Sequence, residues 1–506
     1  MSPTQASNSP HGPSGLRLLV RILDELGLVS VWRSSRDAKL LCAQRFVRLF
    51  AYGGSTLILA SYLSVLGISD DRIGLFMTLT LAGDVVISFF LTLFADAMGR
   101  KAVLALGSAL MAASGVVFAL CGNYWVLLAA AVFGVISPSG NEIGPFRAVE
   151  ESTLAHLTPH ELLSDIFAWY SLIGTAGTAF GMMACGWVVN ALQAFRGWAF
   201  VPACRAIFFA YAAVGGIKFA LTLALSQRVE ATKEKKKKDA SQQEQLQQQQ
   251  ISETEPLLGS ANVEEGAQAQ KKRRIPFLPS LEMELLGLVL KLSVLFALDS
   301  FASGLAPLSW ITYFFKRKFD LPEGKLGSIF FTTSIISSAS MLVASSIAKR
   351  IGNVKTMAFT HLPSALCLAL IPIPPTLPLA LTFLILRACS QNMDVAPRSA
   401  FLASALPPHR RTAIMGAINV VKTCSQSLGP VITGVLAGKG MFWVSFVMAG
   451  SLKATYDVGI LVSFAGRDRS RRKLNGGSDS ESPSASTSYG TATEGGEREQ
   501  QQQQQG

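Results

Sequence analysis

The chain has 506 residues, half of them hydrophobic and only 15% charged, with a formal net charge of +12 and a mean hydropathy of +0.37. This balance excludes an ordinary soluble domain, and apolar runs of the roughly 20 residues needed to cross a bilayer recur along most of the length. The excess of basic residues reads as membrane orientation and not as a nucleic-acid surface, because no basic module with interleaved aromatics is present.

In chain order, residues 1–45 form a predicted cytosolic segment. Its stretch SGLRLLVRILDELGLVSVW interrupts the apolar residues with Arg17, Arg21, Asp24 and Glu25. It is therefore not a secretory signal but an amphipathic helix, lying on the membrane face or facing solvent. Apolar periodicity then predicts spans over about 46–68, 72–95, 101–122, 124–147, 163–192 and 203–226. Residues 227–284 hold KEKKKK, QQEQLQQQQ and KKRR, which offer no apolar face to bury and predict a disordered cytosolic linker. A second set of spans follows at about 285–315, 325–347, 355–373, 375–398, 411–437 and 441–465. The Ser-, Gly-, Glu- and Gln-rich residues 466–506 predict a disordered tail. The expected architecture is an all-α polytopic membrane protein whose twelve transmembrane helices form two six-helix bundles, 46–226 and 285–465.

Basic residues orient it. Arg100, Lys101, Arg147, Lys349, Arg350, Lys355, Arg410 and Arg411 fall in alternate short loops on the side of the basic linker, which places both termini and the linker in the cytosol. Lys316, Arg317 and Lys318 are the exception, partly offset by Asp320 and Glu323.

The two halves repeat. NEIGPFR, near the end of the fourth predicted span, has a counterpart in NMDVAPR near the end of the tenth: Glu142 and Asp394 stand 252 apart (394 − 142), as do Pro145 and Pro397 (397 − 145). Gly99 and Gly352 are separated by 253 (352 − 99). Shared acid, proline and arginine positions at one offset indicate duplication, which is a transporter architecture.

Between the second and third spans, FADAMGRKAVL resembles the cytosolic loop signature of the major facilitator superfamily, G-x-x-x-D-R-x-G-R-R/K. Asp96, Gly99, Arg100 and Lys101 match, whereas Thr92 and Ala97 replace the first glycine and the first basic residue. With the span count and the repeat, the resemblance extends over about 46–465. It implies that the signature acts as a conformational latch; a turn with basic anchors is the alternative reading. In NEIGPFR and NMDVAPR, Gly and Pro loosen the helix at its expected cytosolic end, so that Asn141, Glu142, Pro145 and Arg147, with Asn392, Asp394, Pro397 and Arg398, form a candidate gate or else an interfacial helix end with snorkelling charges. The antiporter-associated pattern of the same family is half present: Gly177 and Gly181 with Met182 in place of proline in the fifth span, and Gly429, Pro430 and Gly434 in the eleventh.

Ionisable groups inside spans are costly unless they pair or line water. Asp84, Asp299, Arg387, Lys422, Lys453 and Asp457 are expected near the midplane. Lys453 and Asp457, four apart, read as an ion pair along one helix face. Asp299 and Arg387 lie on the seventh and tenth spans, which by resemblance line the central cavity, and Val135 stands opposite Arg387 in the repeat. They are the first candidates for a substrate or proton site, with Asp84, Lys422, Asn419 and Tyr52 after them. Asn141 and Asn392 are further candidate polar contacts.

The seven cysteines and five histidines lack metal spacing, and no phosphate-binding loop or extramembrane ATPase domain is present, so no metal, cofactor or enzymatic activity is expected. The sequence implies secondary active transport of a small solute by alternating access, driven by protons; a transporter-like receptor or scaffold without flux is the alternative. The expected partners are the solute and the lipid bilayer, with a monomeric chain. Glu253 ahead of Leu257 and Leu258 has the spacing of an acidic dileucine signal for a sorting adaptor, which favours a vacuolar or lysosome-like membrane over the plasma membrane.

Overall fold

The computed structural model describes residues 28–134, 136, 145–159, 162–230, 283–407 and 410–477, and every regular element among them is helical. The first half comprises α1 (Leu28–Arg33), α2 (Arg36–Val65), α3 (Asp70–Met98), α4 (Arg100–Leu120), α5 (Tyr124–Gly134), α6 (Pro145–Leu157), α7 (Leu163–Arg196) and α8 (Phe200–Leu223). The second comprises α9 (Met283–Leu305), α10 (Leu308–Phe319), α11 (Glu323–Ile351), α12 (Asn353–Leu370), α13 (Leu377–Ser390), α14 (Val395–Ala405), α15 (Arg411–Gly438) and α16 (Phe442–Gly477). Taking α5 with α6, α9 with α10 and α13 with α14 as broken spans, and α1 as a lead-in, the helices form twelve spans in two bundles of six.

Several expected boundaries move, each for a local reason. The first span starts at Arg36 and not at 46. The Ser35 hydroxyl caps it, accepting the Ala38 N–H at 3.2 Å. Asp37 in the first turn suits the helix dipole, and its carboxylate accepts the Ser226 N–H at 3.0 Å and hydroxyl at 2.5 Å, tying the start of α2 to the end of α8. The last helix continues past 465 to Gly477, with no proline between Phe442 and Gly477 to stop it.

The largest correction concerns the repeated motif. NEIGPFR and NMDVAPR do not end their spans. Pro145 opens α6, which runs on to Leu157, and Pro397 lies in the first turn of α14, which runs on to Ala405. A first-turn proline has no intrahelical N–H to forfeit and restarts a helix. NMDVAPR therefore interrupts its span in the interior, and Pro145 likewise starts a helix that continues beyond the motif. Asn141 and Glu142 lie outside the described residues, as do the amphipathic stretch before Leu28 and the dileucine residues Glu253, Leu257 and Leu258.

The repeat extends to backbone conformation. Gly99 and Gly352 occupy equivalent turns at the starts of α4 and α12, with φ of 92° and 96°, values that favour glycine. Beside Gly99, the Lys101 ammonium donates to the carbonyls of Leu223 (2.9 Å) and Leu225 (2.7 Å), capping α8 within the same half. Asp96 lies in α3, and its side chain is outside those described.

Side-chain packing shows where the halves meet. One apolar cluster contains residues of both: Tyr62, Phe118 and Phe208 from the first, Trp310, Phe314 and Phe446 from the second. Two further clusters belong to one half each, around Leu41, Leu104 and Tyr170, and around Phe296, Phe401 and Tyr456. The shared cluster lies at the end away from the linker and the separate ones at the linker end. The halves thus join at one end and part at the other. Large apolar side chains such as Leu120, Phe133, Phe195 and Val462 point outward, at 60–88% exposure, the inverse of a soluble surface and the pattern of a lipid-facing one.

At the joined end the Lys316–Lys318 run loses its anomaly. Lys316 pairs with Glu323, Arg317 with Asp70 of the other half at 2.6 Å, and Lys318 donates to the carbonyls of Pro372 (2.5 Å) and Pro374 (2.7 Å). These charges hold loops together. Tyr313 adds hydrogen bonds to Asp70 and Ser64, both 3.0 Å.

Candidate functional site

Between the halves lies a cavity of about 400 Å³, within the range of small-solute sites. The first half contributes Arg45 and Leu49 of α2, Arg147 of α6, and Thr175 and Thr178 of α7; the second contributes residues of α9 to α14 together with Lys453 of α16. Its floor at the joined end is apolar, formed by Leu308, Ile311 and Phe330. Its waist is charged and hydroxylated.

Helix breaks place the polar groups. Where α13 gives way to α14, Gln391, Asn392 and Asp394 line the cavity. The side-chain amides of Gln391 and Asn392 donate to the Ser337 hydroxyl of α11 at 3.1 and 2.7 Å. The break between α9 and α10 brings Ala306 and Pro307 to the wall, one turn beyond Ser303 and two beyond Asp299.

Asp299 is 4% exposed and holds two cations: the Lys453 ammonium at 2.7 Å and the Arg398 guanidinium at 3.3 Å. Lys453 also donates to the Ser303 hydroxyl at 2.8 Å, and Arg398 pairs with Asp394 as well. The expected ion pair between Lys453 and Asp457 does not form. Their side chains reach different helices, Lys453 to α9 and Asp457 to α12, where both carboxylate oxygens face His361 Nδ1 at 2.9 and 3.0 Å. His361, 4% exposed, lines the cavity. Arg387 lines it too, and among the described residues its guanidinium has no carboxylate partner.

Other expected site residues lie elsewhere. Asp84 is buried in α3, with Arg48 as its charged neighbour. Lys422 sits over the Phe296 ring, 5.7 Å from its centroid. Tyr52 is buried, Asn419 is exposed, and none of these four lines the cavity.

A second charge cluster, unanticipated in the sequence, backs the first-half wall. Glu150 is wholly buried and accepts from Arg48 and from the Tyr170 hydroxyl, each at 2.6 Å, with the Lys218 ammonium at 3.4 Å. The Arg45 guanidinium stacks 4.5 Å from the Tyr170 ring centroid, and Arg147 pairs with Glu151 at 2.6 Å. Each half thus joins its first, fourth and sixth spans through an ionic network, with the signs arranged differently: Arg48, Glu150 and Lys218 in one, Asp299, Arg398 and Lys453 in the other. Lys218 was the available signal, a lone lysine in AAVGGIKFALTL.

Comparison with known proteins agrees with this architecture. The family profile of the Major Facilitator Superfamily matches residues 41–386 and 292–492. The uncharacterized membrane protein YJR124C of Saccharomyces cerevisiae is 36% identical over 442 residues, covering 87% of this chain and 96% of the yeast protein. Among solved structures, the nucleoside transporter NupG superimposes with a TM-score of 0.62 at 15% identity, covering 84% of this chain and 99% of NupG. A bacterial homolog of the human lysosomal transporter Spinster, inward-facing and occupied, gives 0.62 at 12% identity, covering 85% and 96%. A D-xylose–proton symporter also gives 0.62 at 12% identity, covering 84% and 96%. The chain is a multi-pass integral membrane protein and belongs to the Major Facilitator Superfamily of membrane transporters.

Proposed function

We propose that the chain is a secondary active carrier that moves a small solute through the central cavity by alternating access, coupled to protons. The observation that carries this reading is the cavity itself, walled by both halves, closed at one end by a shared aromatic core and bounded at the other by halves that keep separate cores.

The closing seams suit a contact that must open. A Cβ added to Gly74 of α3 would stand 2.5 Å from the Pro430 carbonyl and 2.9 Å from the Cα of Gly434 in α15; one added to Gly327 of α11 would stand 2.6 Å from the Met182 carbonyl of α7. Backbones meet along these two seams without interdigitating side chains, so the seams themselves open without unlocking side chains. With the basic linker in the cytosol, the structure corresponds to a cytosol-facing state.

His361 is the preferred proton carrier. Its imidazole lines the cavity and joins it to Asp457, and Asp299 and the Tyr456 ring, 6.2 Å away, also lie near it. Asp299 is the poorer proton site, because protonating it takes the counter-charge from Lys453, whereas Arg398 keeps Asp394.

The test is accessibility. Cysteines placed at Thr175 and Ser334 should react with a membrane-impermeant thiol reagent from the cytosolic side, and the added substitution Gly327→Leu, which blocks the seam, should shift reaction toward the opposite side. Labelling that stays on one side in both backgrounds contradicts alternating access; labelling of the unsubstituted seam from outside contradicts the orientation.

A further inference from the structure

We propose, building on the carrier reading, that the transported solute is a small organic anion and that Arg387 is the residue that binds its charge. The cavity wall carries five basic side chains, Arg45, Arg147, Arg387, Arg398 and Lys453, against two carboxylates, Asp299 and Asp394. Both carboxylates are already engaged. Asp299 is taken by Lys453 and Arg398, and Asp394 by Arg398.

Arg387 differs from the other cations on the wall. Arg147 has Glu151, Arg45 has the Tyr170 ring, and Lys453 and Arg398 have Asp299. Arg387 sits on α13 one turn before the break, with Gln391 and Asn392 following it and Ser337 of α11 bound to both amides. Its side chain lines the cavity, and no described residue supplies an acid to it. A cation at membrane depth is costly unless something of opposite charge or water meets it. In an empty cavity open to the cytosol, water fills that role. When the cavity closes around a solute and water leaves, a carboxylate, sulfonate or phosphate on the solute becomes the matching partner, and the guanidinium fork suits such planar or tetrahedral oxyanions.

Neighbouring groups set the remaining chemistry. Thr333, Ser334 and Ser337 from α11, with Gln391 and Asn392, present hydroxyl and amide groups that suit hydroxyl or carbonyl oxygens elsewhere on the solute. The apolar floor and the volume of about 400 Å³ hold the solute to small-metabolite size. A cationic solute meets a wall of like charge, and a neutral one leaves Arg387 desolvated with no counter-charge. The repeat places Val135 opposite Arg387, so the charge-binding subsite belongs to the second half alone.

The experiment uses the purified full chain and matched solutes that differ in charge: glucuronate, glucose and glucosamine, and succinate beside succinamide, with gluconate and citrate as further anions. Thermal unfolding is followed at constant ionic strength, since a ligand bound to the folded state raises its midpoint. At least one anion should raise the midpoint, with its neutral or cationic counterpart inactive. Arg387→Gln should weaken that anion at least about tenfold, as expected for a lost charge-assisted hydrogen bond, and Arg387→Lys should retain part of the affinity. Stabilisation by neutral or cationic members and by no anion overturns the proposal, as does the absence of any anion effect in the wild type, or unchanged anion affinity in a folded Arg387→Gln protein. The wild-type comparison stands even where a variant fails to fold. Anion binding without flux rejects the carrier reading and keeps the anion site; flux restricted to neutral or cationic solutes does the reverse.

Discussion

Glu150→Gln should lower the stability of the folded protein by about 3–5 kcal/mol, the range for removing one member of a buried ionic network. Glu150 is wholly buried and neutralises Arg48 at 2.6 Å and Lys218 at 3.4 Å, so an amide removes the acid that bridges these two cations in a low-dielectric interior. The Tyr170 hydroxyl, 2.6 Å away, keeps an acceptor in the amide oxygen and contributes little to the loss. The measurement is the unfolding midpoint of purified protein in mild detergent. Adding Lys218→Met, which removes one stranded charge and keeps an unbranched side chain, should recover a large part of the deficit. A wild-type midpoint for Glu150→Gln, or no recovery in the double variant, contradicts the assignment of Glu150 as the ionic centre of the first half.

Asp299→Asn should both destabilise and inactivate, with a stability loss of about 3 kcal/mol, at the lower end of the same range because Arg398 keeps Asp394. Lys453 is the group left exposed to the change, keeping the Ser303 hydroxyl and an amide oxygen as acceptors but losing its counter-charge. Asp299→Asn combined with Lys453→Met should regain most of the stability while transport stays low, since the double variant restores charge balance without restoring the polar wall. Recovery of transport along with stability identifies the pair as scaffold; a stable Asp299→Asn single variant removes it from the network. A charge exchange between Asp299 and Arg387 should rescue nothing, because Asp299 is bound to Lys453 and Arg398 instead.

The fold was legible in the sequence because its carriers are additive. Each apolar run reports its own span, and the repeat of Glu142 with Asp394 and Pro145 with Pro397 reports the pairing of the halves. The site was legible in part. Asp299 and Arg387 lie in long apolar runs, and the structure puts both on the cavity wall, whereas Lys422 and Asn419 sit in equally apolar surroundings but face elsewhere, which linear spacing does not distinguish. Arg45 and Glu150 were missed for a physical reason: averaged hydropathy treats every charge as facing water, so charges near a predicted boundary end the span. Here Arg48, Glu150 and Lys218 neutralise one another across three helices, a compensation created only by tertiary contact. The same averaging set Pro145 and Pro397 at span ends, whereas each stands in the first turn of a helix that runs on. Lys453 and Asp457 illustrate the converse, since i,i+4 spacing permits a pair but partners on α9 and α12 take both groups.

The most direct test is flux in sealed liposomes containing the purified full chain and a trapped pH-sensitive dye, with the anions that stabilise the protein added outside. A carrier with a proton-coupled cavity predicts solute accumulation accompanied by a change of internal pH, abolished by a protonophore, with His361→Gln losing the proton movement and Arg387→Gln losing both. Solute that binds and stabilises the protein, yet crosses no faster than in protein-free liposomes and moves no protons, contradicts the account and leaves a membrane receptor built on a transporter fold.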